Sequence, residues 1–243
     1  MNVKKIQEQF NQVIAYSQGI DVLNTDSLFE QWLEAKRDYI EAFGGKPIFT
    51  LPEKVSFELS HKEKMLRVSD FIESVAMTFD NEPLADFINA NKETFFNNIV
   101  ENSTIISSGE KIPKGMKLVK SFKFFEHNKK TLEELQNKAS MIIQEDKIEG
   151  YLCFSVHPLD YLSVSENTYN WRSCHSLDGE YRAGNLSYMV DKTTVVCYLK
   201  SEKENNYLPN FPNNVMWNSK KWRMLLFLSD NWNAMYAGRQ YPF

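Results

Sequence analysis

The apolar residues of this chain change period near residue 150, from the three-to-four spacing of helices to the alternation of strands. Before that point Val3, Ile6, Phe10, Val13 and Ile14 form one helical stripe. Leu28, Phe29, Trp32, Leu33, Tyr39, Ile40 and Phe43 form a second, which starts near Asp26 and stops at Gly44-Gly45. Ser60 and Glu63 have capping-box spacing ahead of Met65, Leu66, Phe71, Ile72, Val75 and Phe79. Shorter helices are expected over 84–90 and 92–101, and Thr131 with Glu134 caps a last one. After it, Tyr151 to His157 alternates up to Pro158, and Thr193–Leu199, Trp222–Leu228 and Ala234–Gly238 read as further strands. The expected fold class is α+β: an N-terminal helical bundle over 1–148, then a largely antiparallel β-sheet region over 149–243. Residues 200–218, rich in Asn and Pro, are expected to form one long loop.

The aromatic residues change with the period. Of 17 Phe, 13 precede residue 150, whereas 13 of the 16 Tyr and Trp follow it. Phe is pure core material, while Tyr and Trp carry a polar tip that needs a partner, so the second region is expected to hold the functional face. Its arginines point the same way. Trp171-Arg172, Tyr181-Arg182 and Trp222-Arg223 are adjacent pairs, and Arg239 lies two residues from Tyr241. A guanidinium offers a fork of donors to phosphate, and a ring offers a face to a base. These pairs, with Tyr188, form the expected binding site for a nucleic acid or a nucleotide. Residues 165–191, dense in polar and aromatic residues between two strands, are its expected loop.

Other constellations carry weaker chemistry. Cys174 is a candidate nucleophile, with His175 or His157 as its base. Adjacent side chains point apart on an extended chain, so His157 is the better partner. Cys153, Ser155 and His157 share one strand face and would need Cys174 or His175 to complete a zinc site, but no CxxC or HxxxH spacing supports one. No metal or cofactor is expected. Glu166, Asp178, Glu180 and Asp191 cluster around the same loop, where they could hold Mg²⁺ beside phosphates or act as a general base, with Asp178 a candidate catalytic residue. Lysines at 111, 114, 117, 120 and 123 recur every third residue, and a helix after Gly115 would turn three of them outward.

A net charge of -4 excludes a surface that is basic all over, so any anion site is local. Three cysteines are too few for a disulfide scaffold, and no apolar run reaches the roughly 18 residues of a membrane span. The expectation is a cytoplasmic protein with no membrane partner. Ser155–Leu162, Asn170–His175, Asp178–Met189 and Gly238–Phe243 carry a resemblance to a group of phage, prophage and mobile-element proteins of uncharacterised activity. More faintly, a cysteine, a Tyr and Gly, an apolar strand and a closing Gly-Arg are similar to the PcfJ-like proteins of conjugative elements. The resemblance implies a mobile-element gene acting inside a bacterium, and no activity. Nucleic-acid or nucleotide binding ranks first. Inhibition of a host or defence complex ranks second, because Trp, Tyr and Arg also dominate protein interfaces. Catalysis through Cys174 or on a nucleotide ranks third.

Overall fold

The computed structural model describes residues 1–17, 20, 22–78, 87, 100, 103–106, 108–125, 129–169, 171–208, 211–229 and 233–242. The helices expected over 84–90 and 92–101 lie outside the described residues, apart from Phe87 and Val100. In chain order the elements are α1 (Val3–Tyr16), α2 (Thr25–Ala42), β1 (Ile48–Glu58), α3 (His61–Thr78), β2 (Thr104–Ile105) and β3 (Lys111–Ile112). Next come α4 (Leu118–Ser121), a 3-10 turn (Phe122–Phe124), α5 (Lys129–Gln144), β4 (Lys147–Ser155), α6 (Pro158–Leu162) and α7 (Gly184–Val190). The chain closes with β5 (Thr194–Lys200), β6 (Asn206–Tyr207), β7 (Met216–Trp217), β8 (Trp222–Leu228) and β9 (Met235–Ala237). The class is α+β.

Two compact units divide the chain otherwise than at residue 148. One comprises Met1–Ser56 with Glu149–Tyr241, and the other comprises Phe57–Ile148 with Pro242–Phe243. The single helical domain expected over 1–148 is therefore corrected: its first two helices belong with the β-rich region. The cause is β1, a strand that contains Pro52. Proline demotes a sequence as a strand, yet an edge strand tolerates it, and β1 ends the five-stranded sheet β1-β4-β5-β8-β9.

The sheet is antiparallel throughout. Val156 N donates to Pro47 O at 2.8 Å while Thr50 Oγ1 lies 3.4 Å from Cys153 Sγ, so numbers rise on β1 as they fall on β4. β4 and β5 pair from Tyr151↔Lys200 to Ser155↔Val196, and β5 and β8 from Thr194↔Phe227 to Leu199↔Trp222. Leu226↔Ala237 to Leu228↔Met235 add β9. Directly opposed residues share a face, so Ser155, Val196, Leu225, Tyr198, Arg223, Phe227 and Tyr236 all belong to one side. Trp222 belongs to the other. β5 is buried from Thr194 to Leu199.

α1 and α2 begin on asparagine caps: Asn2 Oδ1 accepts from Lys5 N at 3.1 Å and Asn24 Oδ1 from Ser27 N at 3.0 Å. α2 ends where Gly44 and Gly45 take positive φ and Gly45 N reaches back to Ile40 O at 2.8 Å. Phe10, Phe29 and Trp32 pack ring on ring, and Trp32 Nε1 donates to Val156 O at 2.7 Å. Within α2, Lys36 is fully buried; its ammonium donates to the carbonyls of Tyr188, Asp191 and Thr194 and ties this helix to the end of α7.

In the second unit, the capping box forms as read: Ser60 N donates to Glu63 Oε2 at 2.7 Å and Glu63 N to Ser60 Oγ at 3.3 Å. Its core gathers Met65, Val68, Phe71, Phe87, Val100, Ile106, Ile112, Phe125 and Ala139. The expected lysine-bearing helix after Gly115 is corrected to the one turn of α4 followed by a 3-10 turn, with Lys111 on β3. No single helix face carries the lysines. Among the described residues no helix is long and apolar enough to cross a membrane.

Candidate functional site

The loop expected at 165–191 is a built structure. Asn167 holds its entry: Oδ1 accepts from Tyr169 N at 2.8 Å, and Nδ2 donates to Ser165 O at 3.0 Å and Trp171 O at 2.8 Å. Trp171 is buried, donates from Nε1 to Lys220 O at 2.9 Å and stacks on Tyr241 at 6.1 Å. Its ring is therefore closed to a base. The turn that follows closes when Tyr181 N donates to Cys174 O at 2.9 Å. Asn185 then locks His175, its Nδ2 donating to His175 O at 2.9 Å and its Oδ1 lying 2.9 Å from Nδ1. Since the amide nitrogen faces a carbonyl, Oδ1 faces the ring and Nδ1 carries the proton. Burial, with the Arg223 charge, holds the His175 pKa below its ordinary value.

The four arginines divide into two pairs of unlike standing. Arg172 is ion-paired with Asp178 at 2.5 Å, which also occupies the acid considered as a general base. Arg182 donates from Nη1 to Gly179 O at 3.2 Å, within its own turn. Arg223 and Arg239, by contrast, meet on one ring: their guanidinium carbons lie 4.2 and 5.0 Å from the centre of Tyr241. Tyr241 reaches this place because its N and O pair with Arg223 O and N, both at 2.9 Å. The pairing Trp222-Arg223 read from sequence is corrected, because neighbours on a strand face opposite ways. The ring that serves Arg223 is Tyr241, 18 residues on.

Arg223 is 2% exposed, and Nη2 donates to Ser165 Oγ at 3.0 Å and Ser173 Oγ at 2.9 Å. Its Nε finds no partner. Burial lowers its pKa to about 10, against the opposing influence of Tyr241, Cys174 and Tyr188, so the guanidinium stays charged at neutral pH. Among the described residues no carboxylate pairs with it. A buried cation with spare donors, beside a second, exposed arginine, is suited to an anion.

Cys174 is exposed, while Cys153 and Cys197 are buried with thiol pKa values raised by burial. The base proposed for it from sequence, His157, is corrected to a structural part: it caps α6, Nδ1 accepting from Leu159 N at 3.2 Å. Among the described residues no cluster of His, Cys, Asp and Glu could hold a metal. Two members of the acidic cluster are engaged in local hydrogen bonds. Glu166 Oε1 accepts from Leu177 N at 2.7 Å, and Asp191 accepts from Thr193 and Thr194.

Sequence reasoning missed a buried network behind the loop. Asp160, on α6, faces Lys220 Nζ at 3.1 Å, Ser155 Oγ at 2.6 Å and Tyr198 OH at 3.1 Å. Burial opposes the charge of Asp160, but Lys220, His157 and the Ser155 hydroxyl together hold its pKa below the ordinary value. Nothing polar about Leu-Asp-Tyr or Ser-Lys-Lys in sequence marks a buried ion pair. In comparisons with known proteins no family model matches the chain, nor does any curated protein or solved structure.

Proposed function

We propose that the chain binds a ligand carrying both phosphate and base, a nucleotide or nucleic acid, at Arg223, Arg239 and Tyr241. The observation that carries this reading is the buried guanidinium of Arg223, charged, with no carboxylate partner among the described residues and with an unused Nε donor. Phosphate would take the exposed fork of Arg239, held there also by the buried charge of Arg223 behind it, while a base lies against a neighbouring ring. The proposed setting is the interior of a bacterial cell, as the resemblance expected for residues 149–243 implies.

Calorimetric titration with thymidine 5′-phosphate and with thymidine tests it. The phosphate ester should bind, the nucleoside should not, and affinity should fall as salt rises. Arg239→Ala should weaken binding about tenfold, the value of one charge-assisted contact, and the exposed Arg37→Ala should not. Equal binding of thymidine and its phosphate, or a flat salt response, would sink the reading.

A second reading, inhibition of a host or defence complex, is favoured by β9, which ends the sheet with Met235 62% and Tyr236 71% exposed. An exposed edge strand is a ready site for strand addition by a partner. If Met235→Lys spares nucleotide binding but abolishes inhibition of such a complex, this second reading gains over the first.

A further inference from the structure

The sheet face that carries Arg223 also carries a continuous row of rings. Tyr236 on β9 lies 6.1 Å from Phe227 on β8, and Phe227 lies 6.1 Å from Tyr188 on α7. Tyr188 lies 5.5 Å from His175, and His175 lies 6.0 Å from Tyr181 in the loop. Four separate segments thus contribute to one row. Its two ends are the most open, with Tyr181 59% and Tyr236 71% exposed, while the three middle rings are half-buried. The row runs beside the two arginines. A Cβ on Gly238 would stand 3.3 Å from Phe227 Cε2, so the backbone next to Arg239 rests on the middle of the row.

Large exposed rings are costly to keep in water, and a hydrophobic core gains little from rings at its rim. A row flanked by cations has a direct chemical counterpart in a strand whose bases are unpaired. The exposed rings at the two ends, Tyr181 and Tyr236, offer a face to any base, and Arg239, backed by the buried charge of Arg223, holds the phosphates between them. A duplex hides its base faces and could use only the arginines. We infer that the ligand of this face is single-stranded nucleic acid, laid along the row from Tyr181 to Tyr236 with its backbone on the exposed Arg239, in front of the buried charge of Arg223. This rests on the phosphate reading above and extends it from one nucleotide to several.

The experiment compares thymidine 5′-phosphate with 5′-phosphorylated oligothymidylates of increasing length, up to about eight nucleotides, by competition against a fluorescent oligothymidylate. Affinity should rise with length and then level off. Tyr181→Ala and Tyr236→Ala, at exposed positions that leave the core intact, should each weaken the longest oligomer about tenfold. Neither should change binding of the monophosphate. Arg239→Ala should weaken both. If the monophosphate binds and added nucleotides bring no gain, the row is not a track, while the phosphate site stands. The track is equally overturned if a duplex of the same length binds as tightly as the single strand. Failure of the monophosphate and of every oligomer overturns both.

Discussion

Among the described residues three cations are buried in the β-rich unit, and they differ in how fully their donors are used. Lys220 reaches Asp160, Ser163 Oγ and Asn218 O, so its ammonium is matched by charge and by hydrogen bonds. Lys36 has no carboxylate in direct contact but donates to three carbonyls, and lies near the rings of Tyr39 and Tyr161. Arg223 has five N–H donors, of which Nη2 reaches two serines and Nε none. Under the function proposed above, Lys220 and Lys36 are structural cations and Arg223 is the binding one. Lys36→Met should therefore cost stability, since two carbonyls at the end of α7 lose a donor in a buried place while Thr194 O keeps its bond from Tyr161. A loss of about 2–4 kcal/mol is expected and urea unfolding measures it; a loss below about 0.5 kcal/mol would mean that water takes the place of the ammonium.

Among the elements, the loop from Trp171 to Arg182 holds its shape through one close approach. Gly179 lies so near the chain that a Cβ there would stand 2.3 Å from Cys174 O and 2.7 Å from Cys174 C. Backbone cannot yield as a side-chain tip can, so Gly179→Ala should open the turn and break the bond from Tyr181 N to Cys174 O. The expected readings are faster hydrogen exchange at the Tyr181 amide and weaker oligothymidylate binding, with the unfolding midpoint of the rest of the unit little changed. Unaltered exchange at Tyr181 would show that the turn does not depend on Gly179. This glycine was visible in sequence only as part of Asp178-Gly179, a turn signal without a partner. The same limit explains what else was legible. α1, α2, α3 and the strands β4, β5 and β8 are long enough for their periods to repeat, and all were readable. α6 and α7, of 5 and 7 residues, span too few turns to show a period, and β6 and β7 occupy two residues each inside the expected long loop. The arginine pairs were readable as chemistry but not as geometry: which ring serves Arg223 follows from β8 pairing with the chain end, a register no local pattern encodes.

For the whole molecule, buried titratable groups set the pH at which the fold is most stable. His157 and His175 both have pKa values lowered by burial from the ordinary 6.5. Between that lowered value and 6.5 the unfolded chain binds more protons than the folded one, so stability rises with pH across this window and falls on acidification. Lys36, pulled by burial from 10.5 to about 7, acts in the same sense higher up: between those values the unfolded chain again holds the extra proton, and stability rises with pH. Cys153, Cys197, Tyr161 and Tyr198 act oppositely, since burial raises their pKa values above the ordinary 9 for Cys and 10 for Tyr. Above those ordinary values the unfolded chain sheds protons first, and stability falls. The two trends place the maximum on the alkaline side of neutrality. Calorimetric melting from pH 5 to pH 10 should locate it there. His157→Asn isolates one contributor, because asparagine keeps the cap on Leu159 N and does not titrate. The variant should melt like the parent at pH 8 and lose less stability than the parent between pH 6.5 and 5. An acid limb of unchanged slope would show that His157 meets no cost on protonation in the folded protein, and that His175 and the carboxylates account for the slope instead.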